Sequence, residues 1–285
     1  MAALQIIHRK DALSRALGGI RGEGGSIAFV PTMGALHEGH MALVREARKH
    51  ATHVVASIFV NPTQFAANED LATYPRREAA DARMLEAEGC ALLWAPNAAT
   101  MYPEGHTTSI HVGGVGEGLC GASRPGHFDG VATVVAKLLN QVRPDVALFG
   151  EKDYQQLALI RRLVRDLDLP VAVVGVPTQR DADGLALSSR NAYLSEEERL
   201  SARALPRVLV EAAQAIRDGR GVEQTLQEAR DKLGRGGFAS VEYVELRDAE
   251  TLAPLSALSR PARLLAAARI GTTRLIDNIA VEPMA

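Results

Sequence analysis

The sequence predicts an α/β protein with a Rossmann-like, doubly wound parallel sheet and a smaller C-terminal α+β domain. Over the first 180 or so residues, short apolar runs alternate with helical patterns, which is typical of a parallel sheet covered on both faces. After about residue 181 the order changes to helices first and strands later, joined by short turns, which indicates an antiparallel sheet. We therefore expect two domains, residues 1–180 and 181–285, with the second acting as a lid.

The individual elements follow from the apolar periodicity. In the first domain the predicted strands are 27–30, 53–60, 91–95, 145–149 and 171–176, and the predicted helices are 41–50, 76–88, 131–142 and 154–166. In the second domain the predicted helices are 196–218 and 222–233, and the predicted strands are 241–247, 263–268 and 273–281. The glycine-rich stretch 113–118 lacks the strand-then-helix context of a dinucleotide-binding fingerprint, so we predict a flexible excursion there.

Composition excludes several classes of protein. The chain has 285 residues, 47% of them apolar, which is enough for a sizeable core. A net charge of −2 and the lack of a basic stripe argue against nucleic acid as the main partner. No window approaches 18 uncharged apolar residues, and charged residues stand where a signal peptide needs an apolar core. We expect a cytoplasmic protein without a membrane partner.

The most informative motif is Pro31-Thr-Met-Gly-Ala-Leu-His-Glu-Gly-His40, which lies between a predicted strand and a predicted helix. Free N–H groups and the helix dipole at such a junction form an anion site, and glycines let a phosphate approach the backbone. His37 and His40 are three residues apart and would point toward the same phosphates. The motif predicts a nucleotide triphosphate site, although His-x-x-His alone is equally compatible with a tight turn bearing two solvated histidines.

Other polar segments follow other strands of the same sheet. Residues 61–65, 150–153 and 176–181 come after the second, fourth and fifth predicted strands. Because ligands of open α/β sheets bind at the carboxyl ends of the strands, we expect these segments to converge on one crevice. This convergence favours a functional site over a set of unrelated turns.

Each segment offers a different chemistry. After Gly150, Lys152 offers a point charge for phosphate, and Asp153 is placed to cap the next helix. The loop 187–191, Leu-Ser-Ser-Arg-Asn, gathers donors suited to a triphosphate leaving group, although alone it is an ordinary turn. Asn61 and Gln64 are neutral amides suited to orienting a small hydroxylated or carboxylate-bearing substrate.

A further cationic contact is predicted from the segment Arg124-Pro-Gly-His-Phe128, which precedes a helix. Arg124 or His127 would supply it. Pro-Gly also punctuates many ordinary loops, so this assignment rests on its position before the helix rather than on the motif.

With these residues in view, the chain resembles the pantoate–β-alanine ligase family of the HIGH-motif nucleotidyltransferase superfamily. The resemblance spans nearly the whole chain, and four motifs carry it in order: 31–40, 59–65, 149–156 and 187–191. An HxGH motif alone would indicate only the superfamily. The resemblance implies that ATP and pantoate form a bound pantoyl adenylate with release of pyrophosphate, after which β-alanine attacks to give pantothenate and AMP.

The resemblance also implies roles for individual residues. The expected catalytic residues are His37, His40, Lys152, Ser188, Ser189 and Arg190. The expected ATP-binding residues are Pro31, Thr32, Met33, Gly34, His37, His40, Gly150, Lys152, Asp153, Gln179, Leu187, Ser188, Ser189 and Arg190. The expected substrate-binding residues are Asn61, Gln64, Gln156 and Arg124. Within these sets, His37 matches the position usually assigned as proton donor, and 188–190 resemble a mobile phosphate-binding loop.

Two positions depart from the family pattern, and the metal site is undetermined. Leu187 stands where many members have Met, which is an apolar exchange of similar volume. Gln179 stands where Val is common, beside the expected adenine pocket. Mg²⁺ is expected with ATP, held largely by phosphates and water, and Asp81 is a weak candidate ligand. A homodimer is expected from the resemblance.

Two other functions fit these residues less well. A nucleotidyltransferase acting on a phosphorylated acceptor would need more basic residues than Asn61, Gln64 and Gln156 provide. A nucleotide sensor without catalysis would not need both histidines, Lys152 and Arg190 as contacts to a transition state. No nucleophile is paired with a base in the sequence, which favours direct adenylation over an acyl-enzyme.

Overall fold

The computed structural model describes residues 3–66 and 69–284. The first part of the chain contains the strands β1 (Gln5–Ile7), β2 (Ile27–Thr32), β3 (His53–Ile58), β4 (Leu92–Trp94), β5 (Val146–Gly150) and β6 (Ala172–Val176). Its helices are α1 (Lys10–Gly22), α2 (Glu38–Ala47), α3 (Glu78–Ala87), α4 (Ala98–Met101), α5 (Leu119–Ser123), α6 (His127–Val142) and α7 (Tyr154–Asp166). The second part contains α8 (Glu196–Ala202), α9 (Ala204–Arg217), α10 (Val222–Arg235), β7 (Ser240–Asp248), β8 (Ala262–Ile270) and β9 (Thr273–Val281).

The six strands of the first part form one parallel sheet in the order β1-β4-β3-β2-β5-β6. Residues of α1, α6 and α7 pack on one face of this sheet, and residues of α2 and α3 pack on the other. The predicted doubly wound parallel sheet is therefore confirmed. From β2 the chain proceeds outward on one side of the sheet, through β3 to β4. It later returns to the other side of β2 and proceeds through β5 to β6. The strand order therefore reverses between β2 and β5.

The N-terminal edge of the sheet was not predicted. Strand β1 has only three residues, too few to show an alternating pattern, and it is recognised by its pairing with β4. Helix α1 buries Leu13 and Leu17, which are spaced by four residues on one face, while its several glycines lower its helical propensity.

Two predicted helices begin or end differently from the sequence expectation. The predicted helix 196–218 is broken at Arg203 into α8 and α9. Pro206 explains the break, because it has no N–H to donate and its ring would clash with the carbonyl of residue 202 in a continuous helix. Helix α6 begins at His127 rather than at 131, after Gly126 in a left-handed conformation with φ 79°.

The glycine-rich stretch is ordered rather than a flexible excursion. It contains a short 3₁₀ turn, Gly114–Gly116. The buried side chain of Gln155 donates to the carbonyls of Val115, Glu117 and Gly118 at 3.1, 3.3 and 3.2 Å. One residue of α7 thus satisfies the backbone of a segment that has no ladder of its own.

The second part is the predicted α+β unit. Strands β7, β8 and β9 form an antiparallel sheet, and α9 and α10 pack on it around a hydrophobic core drawn from residues 185–281. The other face of this sheet meets the first part, since Tyr243 and Leu265 belong to the same buried cluster as Phe128 and Leu159.

Across residues 3–66 and 69–284, no helix combines the length and apolar character that a bilayer crossing requires.

Candidate active site

The predicted segments converge where the strand order reverses. The loops after β2 and β5 lie side by side at the carboxyl ends of neighbouring strands, which is where ligands bind in open α/β sheets. They border a cavity of about 230 Å³. The expected site residues that line it are Pro31, Thr32, Met33, His37, His40, Asn61, Gln64, Gly150, Lys152, Asp153, Gln156, Gln179, Leu187, Ser188, Ser189 and Arg190.

The loop after β2 is held by a carboxylate from α3. Asp81 is buried, and its two carboxylate oxygens accept from the N–H groups of Ala35 and Leu36 at 2.9 and 3.0 Å. Gly34 and Ala35 adopt positive φ angles of 83° and 50°, a conformation that is costly for alanine. Asp81 therefore fixes the loop that delivers His37.

The prediction for Asp81 as a magnesium ligand does not fit this geometry, because both of its oxygens already bind backbone N–H groups. Burial raises the pKa of Asp81, and the two N–H donors act against that shift. We assign Asp81 to the loop rather than to a metal.

Asp81→Ala is expected to destabilise the protein by about 2–4 kcal/mol, because two partly buried N–H groups lose their acceptors and the loop loses its anchor. Asp81→Asn retains one oxygen in the same place and is expected to lose less. Urea titrations of the two variants test this expectation. Equal, small losses below about 0.5 kcal/mol in both would show that the loop does not depend on Asp81.

His37 and His40 share the N-terminus of α2. His37 is the N-cap residue, and its Nδ1 accepts from the N–H of Gly39 at 3.1 Å. Nδ1 of His40 accepts from the N–H of His37 at 3.3 Å, and the two ring centroids are 4.2 Å apart. With both Nδ1 atoms acting as acceptors, the neutral rings carry their protons on Nε2, so each ring retains one N–H donor.

Both rings are held neutral. Burial lowers the pKa of His37, and the charge of Lys152 lowers it further. Burial lowers the pKa of His40 to about 3, with His37 adding to the effect. The pair can therefore donate two N–H groups to phosphate oxygens near neutral pH without carrying charge.

Stability is expected to fall as pH is lowered from 7.5 to 5. The pKa of His40 is about 3 and that of His127 is about 4 in the folded protein, whereas an unfolded chain titrates histidine near 6.5. The unfolded state then binds more protons, and each histidine contributes up to about 1.4 kcal/mol per pH unit below 6.5. Urea titrations at several pH values measure the slope. His37, whose pKa is also lowered, adds to the slope, so His127→Gln should remove about a third to a half of it, and an unchanged slope would contradict a neutral His127.

Glycine is required at position 39, whereas position 150 has space for a side chain. A Cβ on Gly39 would lie 2.9 Å from Cε1 and 3.0 Å from Nδ1 of His37, so a side chain there would displace the ring. By contrast, a Cβ on Gly150 would meet no heavy atom of the described residues within 4 Å. Gly150 borders the cavity, and its φ of −73° suits any residue.

Gly150→Ala is expected to leave the free energy of unfolding within about 0.5 kcal/mol of the parent, because the backbone accommodates alanine. Gly150 borders the cavity, so the added methyl group would stand in open space beside Lys152, and we expect the KM for ATP, the substrate that the resemblance implies, to rise by about tenfold. Steady-state kinetics and a urea titration check the two parts. An unchanged KM would mean that the nucleotide does not use this side of the cavity.

Lys152 and Asp153 follow Gly150 in a short 3₁₀ turn that leads into α7. Nζ of Lys152 lies 3.7 Å from Oδ2 of Asp153, and the lysine side chain is 20% exposed. Desolvation by the surrounding residues raises the pKa of Asp153, but the charges of Lys152 and Arg190 outweigh this effect and leave the pKa below its ordinary value. The prediction that Asp153 caps α7 is wrong, since it stands at the N-cap without a side-chain hydrogen bond to the helix.

The side-chain amide of Asn61 is already hydrogen-bonded to other residues of the protein. Its Nδ2 donates to Oε1 of Gln64 and to the carbonyl of Gly130, both at 3.1 Å. Its Oδ1 accepts from the hydroxyls of Thr63 at 2.9 Å and Tyr102 at 2.8 Å. The geometry makes Asn61 a residue that orients Gln64, instead of the free amide that the sequence suggested.

Gln64 and Gln156 differ in how many of their amide hydrogens remain available to a ligand. Nε2 of Gln64 lies 3.0 Å from the sulfur of Met33, which leaves one N–H for a ligand. The Gln156 amide has no hydrogen-bond partner among the residues that the structure describes, and it borders the cavity. Both amides are positioned to bind a polar substrate.

Arg124 and His127 are not free cations. Nε and Nη2 of Arg124 bind the carboxylate of Glu69 at 2.6 and 2.7 Å. His127 donates from Nδ1 to the carbonyl of Gln64 at 2.8 Å and accepts from Arg124 at Nε2, while burial followed by the charge of Arg124 lowers its pKa to about 4. The predicted cationic contact is thus replaced by a neutralised cluster that supports Gln64.

The loop 187–191 is held by the segment before α3. Nε and Nη2 of Arg190 bind the carboxylate of Asp70 at 3.2 and 3.0 Å. Oγ of Ser188 accepts from the N–H of Arg190 at 3.3 Å and caps a short 3₁₀ turn. The side chain of Gln179 donates to the carbonyl of Pro177 at 2.9 Å, so its amide is partly satisfied.

Family comparison agrees with this arrangement. The model of the pantoate-beta-alanine ligase family matches residues 5–280. The chain belongs to the pantoate–β-alanine ligase family. It is 61% identical over 280 residues to a pantothenate synthetase of Rhizorhabdus wittichii, covering 98% of this chain and 99% of that one.

Solved structures show the same fold in members of this family. A pantothenate synthetase of Thermus thermophilus has a TM-score of 0.92 at 47% identity, covering 98% of this chain and all of that one. The pantoate-beta-alanine ligase of Francisella tularensis, solved with β,γ-ATP and β-alanine, has a TM-score of 0.83 at 34% identity, covering 97% of each chain. The expected family and fold are therefore confirmed, and the chain is an enzyme of the ligase class.

Proposed function

We propose that this enzyme condenses pantoate with β-alanine to form pantothenate, using ATP and releasing AMP and pyrophosphate. The family and its curated relatives support the pantothenate-forming reaction. The observation that carries the proposal here is one cavity lined by two kinds of polar group. Lys152 and the N–H donors of His37 and His40 suit phosphate, and the amides of Gln64 and Gln156 suit a polar substrate.

The first half-reaction joins pantoate to the nucleotide. A carboxylate oxygen of pantoate attacks the α-phosphorus of ATP, and the bond from that phosphorus to the bridging oxygen of pyrophosphate breaks. Negative charge grows on the departing pyrophosphate, and N–H donors and an ammonium group aimed at it stabilise the transition state. Nε2–H of His37 and His40 and Nζ of Lys152 supply these contacts.

The loop residues complete the phosphate contacts in this proposal. Arg190 exchanges its bond to Asp70 for the phosphates, and Ser188 and Ser189 offer hydroxyl donors. Gly150 and Asp153 line the nucleotide side, Gly34 belongs to the loop that leads to His37, and Gln179 and Leu187 border the base. Because Arg190 is paired with Asp70 in the structure, its recruitment costs an ion pair that the triphosphate must outcompete.

The second half-reaction releases the product. The amine nitrogen of β-alanine attacks the acyl carbon of pantoyl adenylate, the bond from that carbon to the phosphate oxygen breaks, and AMP leaves while the nitrogen loses a proton. Gln64 and Gln156 hold pantoate so that the acyl carbon faces the amine. No group of the protein becomes covalently attached in either step.

Mg²⁺ is proposed to arrive with ATP. The residues that border the phosphate side include one half-exposed carboxylate, Asp153, which fits an outer contact to a hydrated ion. Mg²⁺ keeps several waters and prefers phosphate oxygens in such sites, and it would neutralise phosphate charge there.

We also propose a division into domains at residue 180, a homodimer and a cytoplasmic location. The division rests on the change from a parallel to an antiparallel sheet beyond that residue. The homodimer and the location rest on the family relationship.

Product analysis tests the function. With ATP, Mg²⁺ and pantoate but no β-alanine, we expect about one equivalent of pyrophosphate per site and no sustained AMP. Adding β-alanine should give sustained AMP and pantothenate in equal amounts. ADP with inorganic phosphate, or sustained AMP without the amine, would contradict the proposal.

A further inference from the structure

Strand β9 carries two buried polar residues in a largely apolar sheet. Asp277 and Asn278 are 3% and 4% exposed, and their side chains bond to residues of the segments after β6 and β5 in the first part of the chain. Buried polar side chains are costly unless they are bonded. Their partners therefore show what these two residues are for.

The Asn278 amide holds the turn that carries Lys152. Its Nδ2 donates to the backbone carbonyls of Glu151 and Lys152, both at 2.9 Å. Its Oδ1 accepts from Nε of Arg263 at 2.7 Å. The side chain thus uses both amide hydrogens on two successive carbonyls of the phosphate-side turn, and its oxygen is anchored within the C-terminal sheet.

Arg263 on β8 makes a second set of contacts to the same turn. Its Nη2 donates to Oε2 of Glu151 at 2.7 Å, and its guanidinium lies 4.1 Å from the ring centroid of Tyr154. The arginine side chain is only 12% exposed. The turn from Glu151 to Tyr154 is consequently fixed by contacts to main chain, carboxylate and aromatic ring, all from the C-terminal sheet.

The neighbouring residue holds another nucleotide-side segment. Asp277 forms two bonds with the guanidinium of Arg180, at 2.7 and 2.8 Å, and its own side chain is 1% exposed. Arg180 directly follows Gln179, which borders the cavity. Two consecutive residues of one strand therefore attach to the segments after β5 and β6, where the candidate ATP site lies.

We propose that Asn278 is a positioning residue for Lys152, through which the C-terminal sheet sets the placement of the phosphate-binding lysine. Asp153 provides no cap to this turn, and the turn is a single 3₁₀ segment, so its position depends on contacts from outside. Movement of the C-terminal unit as a lid would either carry the turn of Lys152 with it or break these contacts. This inference deepens the proposed function and rests on it only for the identity of the nucleotide.

ATP and adenosine binding to the full-length protein tests the inference, with isothermal titration as the readout. We expect Asn278→Ala to raise the Kd for ATP about tenfold and to leave the Kd for adenosine within about twofold, because adenosine has no phosphates for Lys152 to bind. A general collapse of the pocket would weaken both ligands alike, and that result would overturn the proposal.

A double-variant comparison provides the second readout. If Asn278 acts through Lys152, adding Asn278→Ala to Lys152→Ala should change the Kd for ATP by less than about twofold, since the lysine is already gone. Multiplicative losses in the double variant would overturn the proposal. Asn140→Ala is the matched control, because that exposed asparagine bonds only within its own helix, to the carbonyl of Ala136, among the described residues.

Binding is measured without pantoate or β-alanine, so failure of the proposed reaction does not affect the outcome. If Asn278→Ala does not fold, Arg263→Gln replaces it, since this change keeps Asn278 but releases its oxygen and Glu151. The same selective loss of ATP affinity is expected, at a smaller size. Equal losses for ATP and adenosine in that variant would again overturn the proposal.

Discussion

Lys152→Ala is expected to slow pyrophosphate release by about 100- to 1,000-fold, the loss seen when one preorganised contact to developing charge is removed. Its ammonium group borders the cavity beside the α2 N-terminus, and its side chain is mostly shielded from water, which strengthens its interaction with phosphate. Lys49→Ala is the matched control, because that lysine is exposed and bonds to Glu46. Single-turnover pyrophosphate release measures the effect.

If Lys152→Ala slows pyrophosphate release no more than Lys49→Ala does, Lys152 takes no part in the first half-reaction. Lys152→Arg adds a further comparison, because it keeps the charge and changes its shape and reach. We expect it to recover part of the lost rate, which distinguishes a missing charge from a disturbed turn.

His37→Asn is expected to lower the rate by about 100-fold while leaving stability nearly unchanged. Asparagine is a favourable N-cap, and its side-chain oxygen can accept from the N–H of Gly39 as Nδ1 of His37 does now. It would not restore the Nε2–H donor on the cavity side. His37→Ala should lose the same activity and, in addition, about 1 kcal/mol of stability through the missing cap.

The two roles of His37 are separated by measuring the rate and the unfolding free energy of both variants. If His37→Asn keeps most of the parent activity, the imidazole acts only as a cap and takes no part in the chemistry. A pH–rate profile adds a check. Because burial lowers the pKa of His37, the parent rate should not require its protonation between pH 7 and 8.

Much of the site could be predicted because its segments obey local rules. The pattern of residues 26–50 predicted a strand, a glycine-bearing turn and the start of a helix. Parallel strands also bring their carboxyl ends together, whatever their separation in sequence. This placed His37, Gly150 and Lys152 around one crevice. The antiparallel C-terminal sheet could likewise be predicted, because its strands are joined by short turns.

The contacts that support these residues could not be predicted, because they join distant positions. Asp81 binds N–H groups 45 and 46 residues earlier, and Asn278 binds carbonyls 126 and 127 residues earlier. No periodicity or motif carries such pairings. For the same reason, Arg124 was predicted to be a free cation although Glu69 neutralises it. A polar pair such as 277–278 inside an apolar strand is the one local signal that was available.

The most direct test of the proposed chemistry follows an oxygen atom. Pantoate labelled with ¹⁸O in both carboxylate positions is turned over with ATP and β-alanine, and the products are examined by mass spectrometry. Attack by the carboxylate on the α-phosphorus predicts AMP with one ¹⁸O and pantothenate that retains the other. Unlabelled AMP, or label in phosphate or pyrophosphate, would contradict a pantoyl adenylate and with it the roles given to His37, His40 and Lys152.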